Sequence, residues 1–132
     1  MTGFGAIGIA GSGVAVYRTW MDALSDNIAN INDVTSTGAA AFQERYVIAQ
    51  ADPAGQGARV AGVTFGNAAG QLVYDPGSPL ADAQGMVRRP DIDLGTQMTQ
   101  LIMAQRGYQA NLAVVDRAHD AYQSALQLGR NA

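Results

Sequence analysis

The chain contains no cysteine. That removes disulfide frameworks, thiolate metal sites, iron–sulfur clusters and thiol catalysis. It also contains no lysine, so every full positive charge is an arginine. Charged residues make up only 14% of the sequence, against about 25% in ordinary soluble domains. Little of the surface is therefore suited to water, and we read it as surface that faces protein. The net charge of −3 argues against a general nucleic-acid binder. No stretch reaches the roughly 18–20 apolar residues of a membrane span, so direct membrane insertion is not expected. The start, Met1 to Val16, is apolar, yet it lacks the basic flank of a signal peptide, its first positive residue being Arg18. Passage out of the cytoplasm is expected to proceed without a cleaved signal.

Hydrophobic residues, at 48%, are enough for a modest core and too many for a disordered chain. Their arrangement is most regular near the C-terminus. Leu94, Met98, Leu101, Gln105, Tyr108, Leu112, Val115, His119, Tyr122 and Leu126 recur at alternating steps of four and three. Only Gln105 and His119 interrupt this apolar seam, whose spacing keeps one side of a helix towards a partner helix. Asp93, after Pro90, is placed to cap it. The same rhythm runs through Ile7, Ala10, Val14, Tyr17, Met21, Leu24, Ile28 and Ile31. Five glycines between Gly3 and Gly13 weaken the start of this second helix by roughly 1 kcal/mol each. Close approach of a neighbour is the expected benefit, in a segment that folds when it docks.

Between the two patterns lie three short strand candidates, within Phe42–Ala51, Arg59–Phe65 and Gln71–Tyr74, separated by turn-rich runs. Asp75-Pro76-Gly77-Ser78 fits a type II turn, and Pro79 to Pro90 reads as an extended loop. The expected fold is α+β and mainly α: long terminal helices packed like a coiled coil, with a small β-rich insert leaning on them. The division is 1–37 for the N-terminal helix, 38–91 for the insert and loop, and 92–132 for the C-terminal helix. The last helix carries only Arg106, Asp116, Arg117 and Asp120 as full charges between Leu94 and Leu128, with Ala118, Ala121 and Ala125 beside its seam. One partner helix cannot cover such a surface, which implies neighbouring subunits.

Nothing marks an enzyme. Asp116, His119 and Asp120 share a helix face, but no second His and no Cys exists to complete a metal site, so neither a metal nor a cofactor is expected. Gly3-Phe4-Gly5-Ala6-Ile7-Gly8 fits a dinucleotide fingerprint without the preceding strand that chemistry needs. No elbow marks a nucleophile. The run Asp26 to Asp33 lacks the spacing of a calcium loop. Arg88-Arg89 reads first as a solvated pair.

The motifs do match a family. Ser12-Gly13-Val14-Ala15-Val16-Tyr17-Arg18, Met21-Asp22 and Asn27-Ile28-Ala29-Asn30-Ile31-Asn32 resemble the N-terminal signature of bacterial flagellar axial proteins (rod, hook and hook-associated proteins). Val73-Tyr74-Asp75-Pro76-Gly77-Ser78-Pro79 is similar to a segment of the family's proximal-rod branch. So are Ala104-Gln105-Arg106-Gly107-Tyr108-Gln109-Ala110-Asn111 and Ala125-Leu126-Gln127-Leu128-Gly129-Arg130. The sequence departs from the family pattern at Ala39–Arg45, at Asp91-Ile92-Asp93 and at Gln97-Met98.

The resemblance implies a structural subunit of the rod that crosses the periplasm, exported by the flagellar type III apparatus. Its implied partners are other rod proteins and copies of itself. On this reading the subunit interface comprises Val14, Tyr17, Met21, Leu24, Asn27, Ile28, Asn30, Met98, Leu101, Tyr108, Asn111, Leu112, Val115, Tyr122 and Leu126, with Tyr74, Asp75 and Pro76 as a rod-specific loop. Asn27 and Asn30, one turn apart, could simply satisfy a helix end; with the resemblance in hand, hydrogen bonds to a neighbouring subunit are the favoured reading. Two alternatives remain at this point: another axial protein of the same apparatus, or a small standalone helical-hairpin binding protein.

Overall fold

Two helices of unequal length frame the protein. The computed structural model describes residues 3–132, with side chains from residue 5 onward; Met1 and Thr2 of the apolar start lie outside the described residues. Helix α1 spans Gly3–Ala29 and helix α2 spans Leu94–Asn131. Between them come strands β1 (Arg45–Ala51), β2 (Ala58–Phe65), β3 (Gln71–Tyr74) and β4 (Met86–Arg89).

Asp93 caps α2 as expected. Its backbone is extended, and Oδ2 accepts from the Thr96 amide and the Thr96 hydroxyl, both at 2.7 Å. The Thr96 hydroxyl bond and then the amide bond hold the Asp93 carboxyl below the usual carboxylate range. A negative charge here also suits the positive end of the helix.

The helices pack antiparallel. Asn27 meets Gln97, the Tyr17 ring lies against Gly107, and Gly13 lies against Asn111. Each step along α1 is matched by an equal step back along α2, so the described start of α1 falls level with Ala121. Residues 122–131 of α2 extend beyond the described start of α1, about 15 Å of helix.

The face that α2 turns to α1 differs in phase from the sequence expectation. Leu101, Tyr108, Val115 and Tyr122 are half-buried, as the seam requires. The other half of the packed face is Gln97, Ala104, Asn111 and Ala118, in place of Met98, Gln105, Leu112 and His119, which are exposed, as are Leu94 and Leu126. Small and amide side chains win these positions because they let the backbones approach. A Cβ on Gly107 would enter the Tyr17 ring, and one on Gly13 would stand 2.6 Å from Asn111 Oδ1. The close approach foreseen for the glycines of α1 is thus made by Gly13, while Gly8 and Gly11 have nothing within 4 Å.

The middle of the chain forms two separate two-stranded antiparallel sheets. In the first, Arg45 pairs with Phe65 and Ala51 with Ala58, with a bulge at Ile48/Ala49. The hairpin leans on α1 as expected. Gly57, at φ 109°, brings the tip against Ser12, whose hydroxyl accepts from the Ala58 amide at 3.0 Å. A side chain on Gly57 would run into Ser12 and stand 3.3 Å from the Ile9 backbone.

In the second sheet, β4 pairs with β3 from Gln71–Arg89 to Tyr74–Met86. The expected extended loop of residues 79–90 therefore contains a strand. Its Val87 is fully buried, and its Arg88 exchanges two 2.9 Å backbone bonds with Thr35. Nor is Arg88 a solvated side chain: its guanidinium donates to the Ala69 carbonyl and, at 2.7 Å, to the Thr37 carbonyl. The turn at Asp75–Ser78 closes with a 3.1 Å bond from the Ser78 amide to the Asp75 carbonyl. Gly77 is not among the glycines with positive φ, so this turn is not the type II expected. The positive φ appears later, at Gly85, over which the Tyr74 ring lies.

Candidate subunit interface

One junction fixes how α1, α2 and the hairpin present their outer surfaces. Asn27 is fully buried where the three meet. Its Nδ2 donates to Gln97 Oε1 at 2.9 Å and to the Arg45 carbonyl at 3.1 Å, and its Oδ1 accepts from the Arg45 amide at 2.9 Å. The side chain thus pairs with β1 much as a neighbouring strand would. Gln97 is 1% exposed and donates from Nε2 to Glu44 Oε1 at 2.5 Å. Glu44 in turn accepts from the Tyr46 hydroxyl at 2.6 Å through Oε2. That bond, with burial and the Glu44 charge adding to it, pushes the Tyr46 hydroxyl up to about 12. Buried amides need such partners, since an unmade bond there costs about 1–3 kcal/mol.

This geometry corrects the expectation for Asn27. Every hydrogen on Asn27 Nδ2 is used within the chain, and no surface remains for a neighbour to reach. Asn30 donates from Nδ2 to the Asp26 carbonyl at 2.8 Å, one turn back in its own helix. The helix-end account fits Asn30, and Asn27 is an internal clamp. The signal for the clamp was available in the amide pair Asn27 and Gln97, but only the fold brings residues 70 positions apart together.

The remaining interface candidates divide into two groups. Leu24, at 2% exposed, is core, and Val14, Tyr17, Met21, Ile28, Leu101, Tyr108, Asn111, Val115 and Tyr122 are half-buried between elements of the chain. Tyr17 stands 6.1 Å from Trp20, ring to ring. Met98, Leu112 and Leu126 are uncovered, and so are Leu94 of the expected seam and Leu128, together with Ile102, Met103 and Val114, which sequence reasoning did not single out. Only Gln97 and Ala104 of α2 are fully buried. The helix therefore presents apolar side chains on most of its circumference, a surface far larger than scattered exposure accounts for. Tyr74 and Pro76 of the loop candidate are exposed and Asp75 half-buried.

Among the described residues, no group of His, Cys, Asp or Glu could hold a metal ion. Asp116, His119 and Asp120 are all exposed on α2. The Gly-x-Gly-x-x-Gly run falls inside α1, without the strand-to-helix turn that phosphate binding needs. No described helix is long and apolar enough to cross a membrane.

Comparison with known proteins agrees with this architecture. The family described as flagellar basal body rod FlgEFG protein, C-terminal, matches residues 83–128, from the end of the loop through most of α2. The flagellar basal-body rod protein FlgC of Salmonella typhimurium is 36% identical over 126 residues, covering 92% of this chain and 94% of that protein. The FlgC of Escherichia coli O6:H1 is 33% identical with the same coverage, and that of Bacillus subtilis is 26% identical over 98% of this chain and all of its own length. The exposed, charge-poor α2 set on an internal amide clamp is thus that of a rod subunit's relative, and identity of 36% and 33% to the Salmonella and Escherichia proteins over 92% of this chain places the chain in the FlgC family of flagellar basal-body rod proteins.

Proposed function

We propose that the chain is a structural subunit of the proximal rod, polymerising through its terminal helices to carry motor torque. The observation that carries this is the bare apolar surface of α2: eight large hydrophobic side chains from Leu94 to Leu128 stand exposed there. Such a surface is stable in water only if other protein covers it. Its partners are copies of the chain and other rod proteins. Met98, Leu112 and Leu126 belong to the contacts between subunits. Tyr74, Asp75 and Pro76, on the β3–β4 connection, contact a rod neighbour. The subunit reaches the periplasm through the flagellar type III export apparatus, without a cleaved signal, and resides in the basal body. It has no catalytic task.

Deleting the gene and purifying basal bodies tests this. The expected result is non-motile cells whose basal bodies lack a rod, with both restored by re-expressing the chain. Normal rods in the deletion strain would overturn the proposal.

A further inference from the structure

Two bare helix faces of this chain carry reciprocal charges. On α1, Gly11, Ala15, Arg18, Asp22, Ser25 and Ala29 share an arc of about 80° at 3.6 residues per turn. All but Gly11 are exposed, and a Cβ on Gly11 would meet nothing within 4 Å. On α2, Ala110, Ala113, Arg117, Asp120, Ser124 and Leu128 share an arc of the same width, and all six are exposed. That arc lies on the side of α2 opposite Gln97, Ala104 and Asn111, which face α1 of the same chain. Among the described residues the one ion pair joins Asp26 to Arg45. Arg18, Asp22, Arg117 and Asp120 are therefore charges with no oppositely charged partner in the chain.

Laid antiparallel, the two faces match in one register. Arg18 falls level with Asp120 and Asp22 level with Arg117, so each charge meets its opposite. The same register sets Leu128, 73% exposed, over the notch at Gly11. Ser124 then meets Ala15, Ala113 meets Ser25 and Ala110 meets Ala29, so small residues let the backbones approach. Val114 comes to lie beside the hollow of about 270 Å³ between α1 and the hairpin, at whose rim Val63 and Phe65 are exposed. Laid parallel, the faces set Arg18 on Arg117 and Asp22 beside Asp120, and the like charges repel.

We infer that α1 of one copy binds α2 of a second copy along these faces, Arg18 to Asp120 and Asp22 to Arg117. The occupant is a second copy because both charge patterns belong to this chain, each answers the other, and neither is answered within the chain. In one chain Asn27 is level with Gln97; between copies Asp22 is level with Arg117. The second copy is therefore displaced along the helix axis by about 15 residues, or roughly 22 Å. Since α1 runs antiparallel to α2 in both contacts, the two copies point the same way. The two faces are different surfaces, so the contact is head-to-tail and can repeat from copy to copy. The inference rests on the rod-subunit reading above.

The absence of cysteine makes the test clean. Ser25→Cys and Ala113→Cys are made in one chain, and each alone, in the deletion strain. Within one chain the two positions stand about 21 Å apart along the helices, too far for a disulfide, so only two copies can be joined. Basal bodies are then isolated and oxidised. A chain dimer with the double variant and none with either single variant, in motile cells, is the expected result. Motile cells whose basal bodies contain the double variant but give no dimer, or give only a cross-link to a different rod protein, overturn the contact while leaving the rod-subunit reading intact. Absence of the wild-type chain from basal bodies would overturn that reading itself. If the double variant fails to incorporate, charge reversal decides. As the only copy in the cell, Asp22→Arg and Arg117→Asp should each reduce incorporation about two- to five-fold, the factor an exposed ion pair corresponds to, and the two in one chain should restore it. Failure of the pair to restore incorporation overturns the contact.

Discussion

Asn27 Nδ2 donates to Gln97 Oε1 across 2.9 Å, and this single amide pair ties the end of α1 to the start of α2 inside a site closed to water. Because Gln97 also reaches Glu44, and Asn27 also holds both backbone groups of Arg45, loss of either amide strands polar groups on two other elements. Asn27→Ala and Gln97→Ala should each destabilise the purified chain by about 1–3 kcal/mol. The double variant should cost clearly less than the sum, since both remove the shared bond. Urea denaturation measures this; strictly additive losses would show that the two side chains do not act together.

The glycines divide into two kinds, and the division can be measured. Helix propensity alone favours alanine over glycine by about 1 kcal/mol. At Gly8 and Gly11 an added methyl meets nothing within 4 Å, so Gly8→Ala and Gly11→Ala should stabilise the monomer by roughly that amount. At Gly107 the methyl would enter the Tyr17 ring, so Gly107→Ala should destabilise despite its better propensity. Adding Tyr17→Ala to Gly107→Ala should recover the propensity gain relative to Tyr17→Ala alone. A stabilising Gly107→Ala in the intact chain would mean the helices are further apart than described.

Much of this fold was legible in the sequence, for reasons that also explain the errors. The three-four rhythm of large apolar residues located both helices, and Asp93 located the start of α2, because these are local signals. The phase of the α1–α2 contact was not local. Reading large side chains as the seam placed Met98 and Leu112 inside, whereas the backbones come together on Gln97, Ala104 and Asn111, residues that hydrophobic counting overlooks. Strand β4 was missed because Met86-Val87-Arg88-Arg89 shows little alternation; its place depends on β3 and on the Thr35 bridge. The family signature at Asn27 was legible, but its task was misassigned, since only the fold brings Gln97 and Arg45 to it.

The bond from Tyr46 to Glu44 gives the junction a pH signature. The phenol must stay protonated to donate, and its pKa is raised to about 12 in the folded chain, from about 10 in an unfolded one. The stabilisation it brings is therefore complete below about pH 10 and is lost as pH rises through about 12. Ultraviolet titration should show a tyrosine step near pH 12, and Tyr46→Phe should remove that late step. Late ionisation that survives in Tyr46→Phe would assign it to another tyrosine.

Leu112 separates folding from assembly. Read as seam, it would be core, and aspartate there would lose about 1.5–3 kcal/mol of burial and add an unpaired buried charge. The structure leaves it 40% exposed on the side of α2 away from the Ala104–Asn111 contact. Leu112→Asp should therefore change monomer stability only modestly, by about 0.5 kcal/mol as for other surface substitutions. In a polymer the same change places a charge in every copy of an apolar contact, where burying it unpaired costs several kcal/mol. The variant should be made, folded and exported at wild-type levels yet be missing from isolated basal bodies, and the cells should not swim. Two assays decide between the roles: denaturation of the purified variant, and its amount in basal bodies relative to the periplasm. A variant that unfolds in isolation would return Leu112 to the core, and one that incorporates normally would remove this face of α2 from the rod interface.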